Sequence, residues 1–205
     1  MFGMRAMLCA ALLSAWVLTI PANPQECSSQ PRHVASEAAA VKDGVYHNPR
    51  YGFSCKLPFG WVDRTQDMQP DVNDPSSGQV LLAFFEHPPE VTAPTINSAI
   101  VIATEPISAY HGLKTAADYF GPLDEVTSAR GFQAQGDPYE FAAGTKRLVR
   151  GDFSKQKGTL TMLQSSLVML EKGEIVSFTF IASSDDEMED LVGRLSFQRP
   201  VSRGR

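Results

Sequence analysis

Two short apolar runs constrain the fold more than anything else in the chain. Residues 80–85 (VLLAFF) and 99–103 (AIVIA) contain no polar alternation. Successive side chains of a strand point to opposite faces of its sheet, so a strand with one wet face alternates apolar with polar. Runs this short without alternation fit strands covered on both faces. Pro88, Pro89, Pro94 and Pro106 keep them short. The pattern predicts that both segments lie in the middle layer of three, shielded above and below. Apolar residues make up 43% of the 205, enough for the sizeable core that such layering needs.

The remaining elements follow from period and punctuation. Residues 44–46, 52–57 and 61–62 read as short extended segments, with a turn at His47-Asn48-Pro49. Four strands are expected at 139–142, 145–153, 159–170 and 174–182. In the last, Val176, Phe178 and Phe180 share one face while Ser177 and Thr179 share the other. Leu160, Leu163, Leu167 and Leu170 also fit a helix. The polar, Gly-containing link Glu171-Lys172-Gly173 is a hairpin signal and decides for strand.

Residues 115–130 are helical in pattern, with Ala116, Tyr119, Phe120 and Leu123 on one stripe. Pro122 lacks an N–H and crowds the preceding turn, so a kink is expected, or a second short helix beginning at Pro122. Ser184 with Glu187 forms a capping box, and Met188, Leu191, Val192 and Leu195 continue the stripe of a final helix. The Ala-rich stretch 34–41 is read as a short helical piece. Residues 67–78, with Pro70, Asp71, Asn73, Asp74, Pro75 and Gly78, read as a surface loop, and 86–95 is a second loop.

The N-terminus reads as a targeting segment. Arg5, the only charge in the first 25 residues, precedes the apolar run 6–20, and Pro21-Ala22 then end it. A charged start, a short apolar centre and a small-residue exit make a secretory signal peptide. The run is shorter than the roughly 20 residues of a membrane span. The expected organisation is a signal peptide at 1–22, a flexible segment at 23–43, one domain at 44–198 and a disordered tail at 199–205. The expected location is therefore secreted or periplasmic, with no stable membrane span after cleavage. Once Cys9 leaves with the signal, Cys27 and Cys55 remain. They either pair in the oxidising compartment or leave Cys55 as a small buried hydrophobe, on one strand face with Phe53 and Leu57.

Chemical motifs are sparse. His33, His47, His87 and His111 lie far apart, with no spacing that sets two on one helix face. His47 and His87 read as exposed loop residues. No Gly-x-Ser-x-Gly elbow or phosphate loop is present, and the acidic run at 185–190 lacks the ligand spacing of a calcium loop. The formal charge of −5 argues against a nucleic-acid partner. Lys146, Arg147 and Arg150 are taken as solvated charges. Trp61, after Pro58-Phe59-Gly60, reads as a core anchor. No catalytic, cofactor-binding or metal-ligating residue is assigned, and no cofactor is expected.

Two stretches resemble the PsbP/Mog1-like family. Residues 46–61 (YHNPRYGFSCKLPFGW) carry its Tyr, Asn, Tyr-Gly pair and Pro-x-Gly-Trp turn. Residues 178–195 resemble its closing strand and acid-started helix. The resemblance implies an α+β fold, a central antiparallel sheet with helices packed on both faces (an α/β/α sandwich). It implies a non-enzymatic binding or assembly role, as in thylakoid photosystem subunits, a regulator of a nuclear-transport GTPase and exported bacterial proteins. The exported bacterial branch matches the signal peptide. The function expected is thus an exported binding or assembly module whose partner is another envelope or secreted protein. The alternative is a secreted hydrolase whose site is assembled from distant Ser, His and Asp residues, for example His87 or His111.

Overall fold

A computed structural model describes residues 39–70, 78–89 and 95–197. Those residues form twelve strands and two α-helices. The strands are β1 (Ala40–Lys42), β2 (Val45–Asn48), β3 (Phe53–Lys56), β4 (Val62–Asp63), β5 (Gln79–Phe85) and β6 (Ala99–Pro106), then β7 (Gln133–Ala134), β8 (Tyr139–Ala143), β9 (Lys146–Lys157), β10 (Leu160–Glu171), β11 (Glu174–Ala182) and β12 (Leu195–Phe197). The helices are α1 (Phe120–Ala129) and α2 (Asp185–Gly193), and a single 3-10 turn spans Ile107–Ala109. The large sheet runs β4-β5-β6-β11-β10-β9-β7, with β8 also paired to β9; a smaller sheet runs β1-β2-β3-β12. Every pairing is antiparallel.

Short turns set this register. Lys172 and Gly173, at φ 54° and 79°, form the two-residue link between β10 and β11. Both central residues of such a turn need the left-handed region, and the turn's twist matches that of the strands. It places Leu167 opposite Phe178 and Met169 opposite Val176. At the β2–β3 turn, Asn48 Oδ1 accepts the Tyr51 N–H at 3.2 Å and its Nδ2 donates to the Tyr46 hydroxyl at 3.0 Å. The Gly52 N–H closes on the Asn48 carbonyl at 2.9 Å.

The two faces of the large sheet feed separate cores. Leu167, Val176, Phe178, Phe180, Ile100, Ile102 and Leu82 pack with Tyr46, Phe53 and Cys55 of the small sheet and with Met188, Leu191 and Val192 of α2. Their chain neighbours Val168 and Ile175 pack instead with Tyr119, Phe120, Phe132 and Phe153. Neighbouring residues of a strand point oppositely, so these are opposite faces. The 107–119 segment is pinned to the second face by Glu105, whose carboxylate accepts from the hydroxyls of Tyr110 and Tyr119. Burial, then the adjacent carboxylate, pushes the Tyr110 hydroxyl up to about 12. The runs at 80–85 and 99–103 are strands in the interior of the sheet order. Leu82, Ile100 and Ile102 are buried on the first face, as are Ala83 and Ala99 on the second, while Val101 and Ala103 are half-buried there.

Several expectations change. The architecture is sheet-rich, with only two helices among the described residues. Ala40 and Val41, expected in a helical piece within the flexible segment 23–43, lie in β1, because backbone pairing with Tyr46 and His47 outweighs alanine's helix propensity. Residues 1–38 and the tail lie outside the described residues. Residues 115–119 are a bend and a turn; α1 begins at Phe120 and holds Pro122 in its first turn, where a missing N–H costs no bond. Leu195 leaves the α2 stripe to pair with Cys55 in β12. His47 is a half-buried strand residue and not part of an exposed loop. Trp61 is half-buried against the first core, whereas Phe59 beside it is fully exposed.

Two outcomes test this packing. Ser184 caps α2, its Oγ accepting the Glu187 N–H at 3.3 Å. Ser184→Ala is expected to lower stability by about 1 kcal/mol in urea titration. Cys55 is a free, wholly buried thiol. Burial pushes it up to about 12 against a smaller downward pull from Arg194. Iodoacetamide should modify Cys55 only in denaturant, as read by peptide mass; modification at the native rate of an exposed thiol would refute its burial.

Candidate functional site

The first turn of α2 separates two open grooves. The larger, about 470 Å³, is lined by Glu86 and His87 after β5, Thr95 and Ile96 before β6, Leu160 and Thr161 of β10, and Ser183 and Glu187. The smaller, about 370 Å³, lies between the β9–β10 hairpin and α2 and contains Arg150, Asp152, Leu163, Asp185, Met188 and Glu189. Thr161 lines both.

Hydrogen bonds hold the walls of the larger groove. Asn97 clamps the backbone of His87, accepting its N–H at Oδ1 (2.9 Å) and donating from Nδ2 to its carbonyl (3.0 Å). The imidazole Nε2 faces the Glu86 carboxylate at 3.8 Å. On the opposite wall, Glu187 Oε2 accepts the Ser183 N–H at 2.8 Å and the Ser183 hydroxyl at 2.7 Å. The capping glutamate thus reaches one residue farther back than the usual box, which ends on the cap's own N–H.

Burial pushes the Glu187 carboxyl up, but the serine donors around it outweigh that and hold it below its ordinary value of 4.5. Ser98 faces the same carboxylate, yet its buried hydroxyl completes no hydrogen bond of normal geometry. A folded-state value below the unfolded one adds stability at pH above 4.5 and loses it as pH falls through the folded value. Stability below pH 4.5 should therefore fall less steeply in Glu187→Gln than in the parent. Parallel acid limbs in urea titrations across pH would refute this coupling.

The smaller groove is organised by a buried guanidinium. Arg150, with 8% of its side chain exposed, donates from Nε to Asp152 Oδ1 at 2.9 Å and from Nη2 to Glu189 Oε1 at 2.7 Å. It lies over the Phe141 ring at 5.4 Å, and the Tyr139 hydroxyl donates to Asp152 Oδ2 at 2.9 Å. Burial lowers the pKa of Arg150, but Glu189 and Asp152 outweigh it and raise the guanidinium above its ordinary value. Ser165, paired across the ladder with Asp152, has a buried hydroxyl without a partner.

The sequence assigned no site residue, and the histidines it weighed stay apart. His47 is on β2, His111 is in an exposed turn, and His33 lies outside the described residues. Among the described residues no three His, Cys, Asp or Glu side chains stand close enough to hold a metal ion. Of the acidic run, Glu189 serves Arg150 and Asp190 pairs with Arg194 at 2.7 Å. Arg150 is the residue that sequence reasoning missed. It was grouped with Lys146 and Arg147 as solvated, whereas the alternation of β9 puts Leu148, Arg150 and Asp152 on the inner face. That alternation was the available signal.

No family model and no curated protein matches the sequence. Similar solved structures include the cyanobacterial PsbP (CyanoP) of Synechocystis sp. PCC 6803, at 15% identity and TM-score 0.47, covering 75% of this chain and 91% of that one. LpqN of Mycobacterium tuberculosis, described as involved in cell envelope biogenesis, aligns at 16% identity and TM-score 0.40 over 72% of this chain and 83% of its own. The Saccharomyces cerevisiae Ran-binding protein Mog1p aligns at 9% identity and TM-score 0.42 over 71% and 90%. The solved structures similar to this chain thus include both a PsbP and a Mog1p, each at low identity.

Proposed function

We propose that this chain is an exported, non-enzymatic binding or assembly module that acts on another envelope or secreted protein. In this reading residues 1–22 are a cleaved signal peptide and α1 and α2 form the outer layers of an α/β/α sandwich. Support for the layering comes from Phe120 and Val192 packing on opposite sheet faces. Support for export comes from Arg5 followed by the apolar run 6–20. No helix among the described residues is long and apolar enough to cross a membrane.

The observation that favours this reading over the hydrolase alternative is the bond from the Ser183 hydroxyl to Glu187 at 2.7 Å. The larger groove does gather a serine, a histidine and a carboxylate, the components of the hydrolase alternative. Nucleophilic catalysis needs the base beside the hydroxyl and the acid beyond the base. Here the Ser183 hydroxyl donates its hydrogen bond directly to the acid, and His87 faces Glu86 instead.

Co-purification from the exported fraction, with partners and the intact chain identified by mass, tests the module. A stoichiometric protein partner and loss of residues 1–22 are expected. Labelling of Ser183 by a fluorophosphonate would establish the hydrolase and overturn the module. Retention of Met1 on exported material would overturn the cleaved signal.

A further inference from the structure

We propose that an extended segment of the partner adds to the smaller sheet as a further strand beside β1, with an apolar side chain over the opening between the two sheets and a carboxylate next to it on Lys42. The inference rests on the binding-module reading and specifies where and how the partner docks.

The backbone is the first argument. β1 ends the order of the smaller sheet and pairs with β2 alone, and its three residues are all exposed. The two-residue turn Asp43-Gly44, at φ 51° and 72°, joins it to β2. Such a turn closes on a hydrogen-bonded pair, here Lys42 and Val45, and bonded pairs alternate with non-bonded ones along an antiparallel ladder. Val41, opposite Tyr46, is therefore a non-bonded position, and its N–H and C=O point away from β2. Among the described residues nothing pairs with them. An unpaired strand edge is a template for a further strand.

The second argument is a contrast between two edges. β4 covers only one end of β5, but side chains close what it leaves open. The Arg64 N–H donates to the Ala83 carbonyl at 2.8 Å, and the Thr65 hydroxyl accepts the Ala83 N–H at 3.0 Å. The Gln69 amide then stands in for a strand, donating to the Val80 carbonyl at 2.8 Å and accepting the Val80 N–H at 3.3 Å. The larger sheet is thus protected on this side, whereas β1 carries no such cover among the described residues.

Third, a groove of about 360 Å³ lies between these edges. It is lined by Val41 and Tyr46 of the smaller sheet, Leu81 and Leu82 of the larger, and Asp63 and Thr65. Val41 shares its sheet face with the core residue Tyr46, yet it is 49% exposed. A strand laid beside β1 sets one side chain next to Val41 on the groove side and sends that residue's two neighbours to the outer face. An apolar side chain at that position would remove exposed Val41 from water.

Charge selects the neighbouring residue. Val41 faces inward, so Lys42 lies on the outer face, in one cross-strand row with Val45 and Lys56. Neither lysine forms an ion pair among the described residues. A carboxylate opposite Lys42 completes a favourable cross-strand pair, and a cation there would be repelled.

The test titrates the isotope-labelled exported chain with the capped hexapeptide Ser-Glu-Val-Thr-Val-Ser, followed by NMR. Antiparallel pairing of its first valine with Val41 sets its glutamate opposite Lys42. Binding should shift the Val41 amide and slow its exchange. N-methylation of that valine removes the donor to Val41 and should weaken binding about five- to tenfold. Val41→Pro should do the same, and it spares the β1–β2 bonds because the lost N–H faces away from the ladder. Lys42→Glu should weaken binding about two- to fivefold, and a peptide with Lys in place of Glu should recover that loss on this variant. Equal binding of the N-methylated peptide, equal binding by Val41→Pro, or no change at Val41 would overturn the inference. So would slow exchange of the Val41 amide without peptide, which would mean that the chain fills this edge itself. A co-purified partner held as tightly by Val41→Pro would overturn it too, while leaving the binding module standing.

Discussion

Phe178→Ala is expected to remove about 3–5 kcal/mol of stability, the largest effect of any single side chain considered. Phe178 is wholly buried on β11 at the junction of the two sheets. Its ring meets Phe53 of β3 edge-on at 4.9 Å and 82°, and Phe197 of β12 at 6.0 Å and 77°. Phe53 and Phe197 also meet each other at 6.1 Å. Edge-to-face aromatic pairs add about 0.5–1.5 kcal/mol each to the area they bury. Truncation loses that term and the transfer term and leaves a cavity that three strands from two sheets cannot collapse to fill. A domain has only about 5–15 kcal/mol to lose, so the urea midpoint should fall steeply and the smaller sheet should exchange its amides first. A loss below about 1.5 kcal/mol, the scale of a tolerated core swap, would mean that the sheets are not joined through this ring.

Gly151→Ala is expected to cost about 1–3 kcal/mol, although alanine is ordinarily the better-ordered residue in a strand. A Cβ at this position would come within 2.4 Å of Phe120 Cε1 and 2.8 Å of its Cδ1. Phe120 is itself buried among Tyr119, Phe132, Phe153 and Val168, so its ring has no free direction in which to retreat. Gly151 is thus the socket by which the first residue of α1 seats on β9. The companion variant Phe120→Leu should relieve the clash, so the double mutant should be more stable than the sum of the single losses predicts. Coupling of this kind between touching residues runs to about 0.5–3 kcal/mol. Strict additivity in denaturation would show that the ring and the glycine do not meet.

The strands were legible because their cues are local. Glu171-Lys172-Gly173, a short polar link with a glycine between two strand patterns, signals a hairpin, and the alternation of Val176, Phe178 and Phe180 assigns β11 an inner face without reference to any partner. The same reading separated the leucines of β10 from a helix through their linkage to that hairpin. β1, β7 and β12 were missed for the converse reason. Three residues such as Leu195–Phe197 carry too little periodicity to declare a strand, and only the pairing of Leu195 with Cys55 and Phe197 with Phe53 makes them one. Likewise Tyr119 and Phe120 announced a buried stripe, but that the Phe120 ring packs against Gly151 of β9 could not be read from it.

The grooves were illegible for a related reason. Glu86, Thr161 and Ser183 are more than 20 positions apart in sequence, and no local spacing links them. Ser184 and Glu187 were read as a cap, which they are, yet the cap's carboxylate is turned toward Ser183 and so becomes the groove wall. Arg150 carried a usable sign, since it shares the parity of Leu148, but a charged residue on an inner face has meaning only when its partners are known.

By itself the sequence determined the extended character of the two apolar runs, the hairpins, the serine-capped final helix and the faces their side chains occupy. These depend on backbone sterics and on periods of two or 3.6 residues, which act between near neighbours. The tertiary structure decided the rest: that Arg150 is buried, that Ser183 bonds to Glu187 and not to His87, and that two grooves meet at Thr161. Those outcomes depend on which distant strands lie side by side, and pairing free energy is summed over the whole sheet before it selects any one contact.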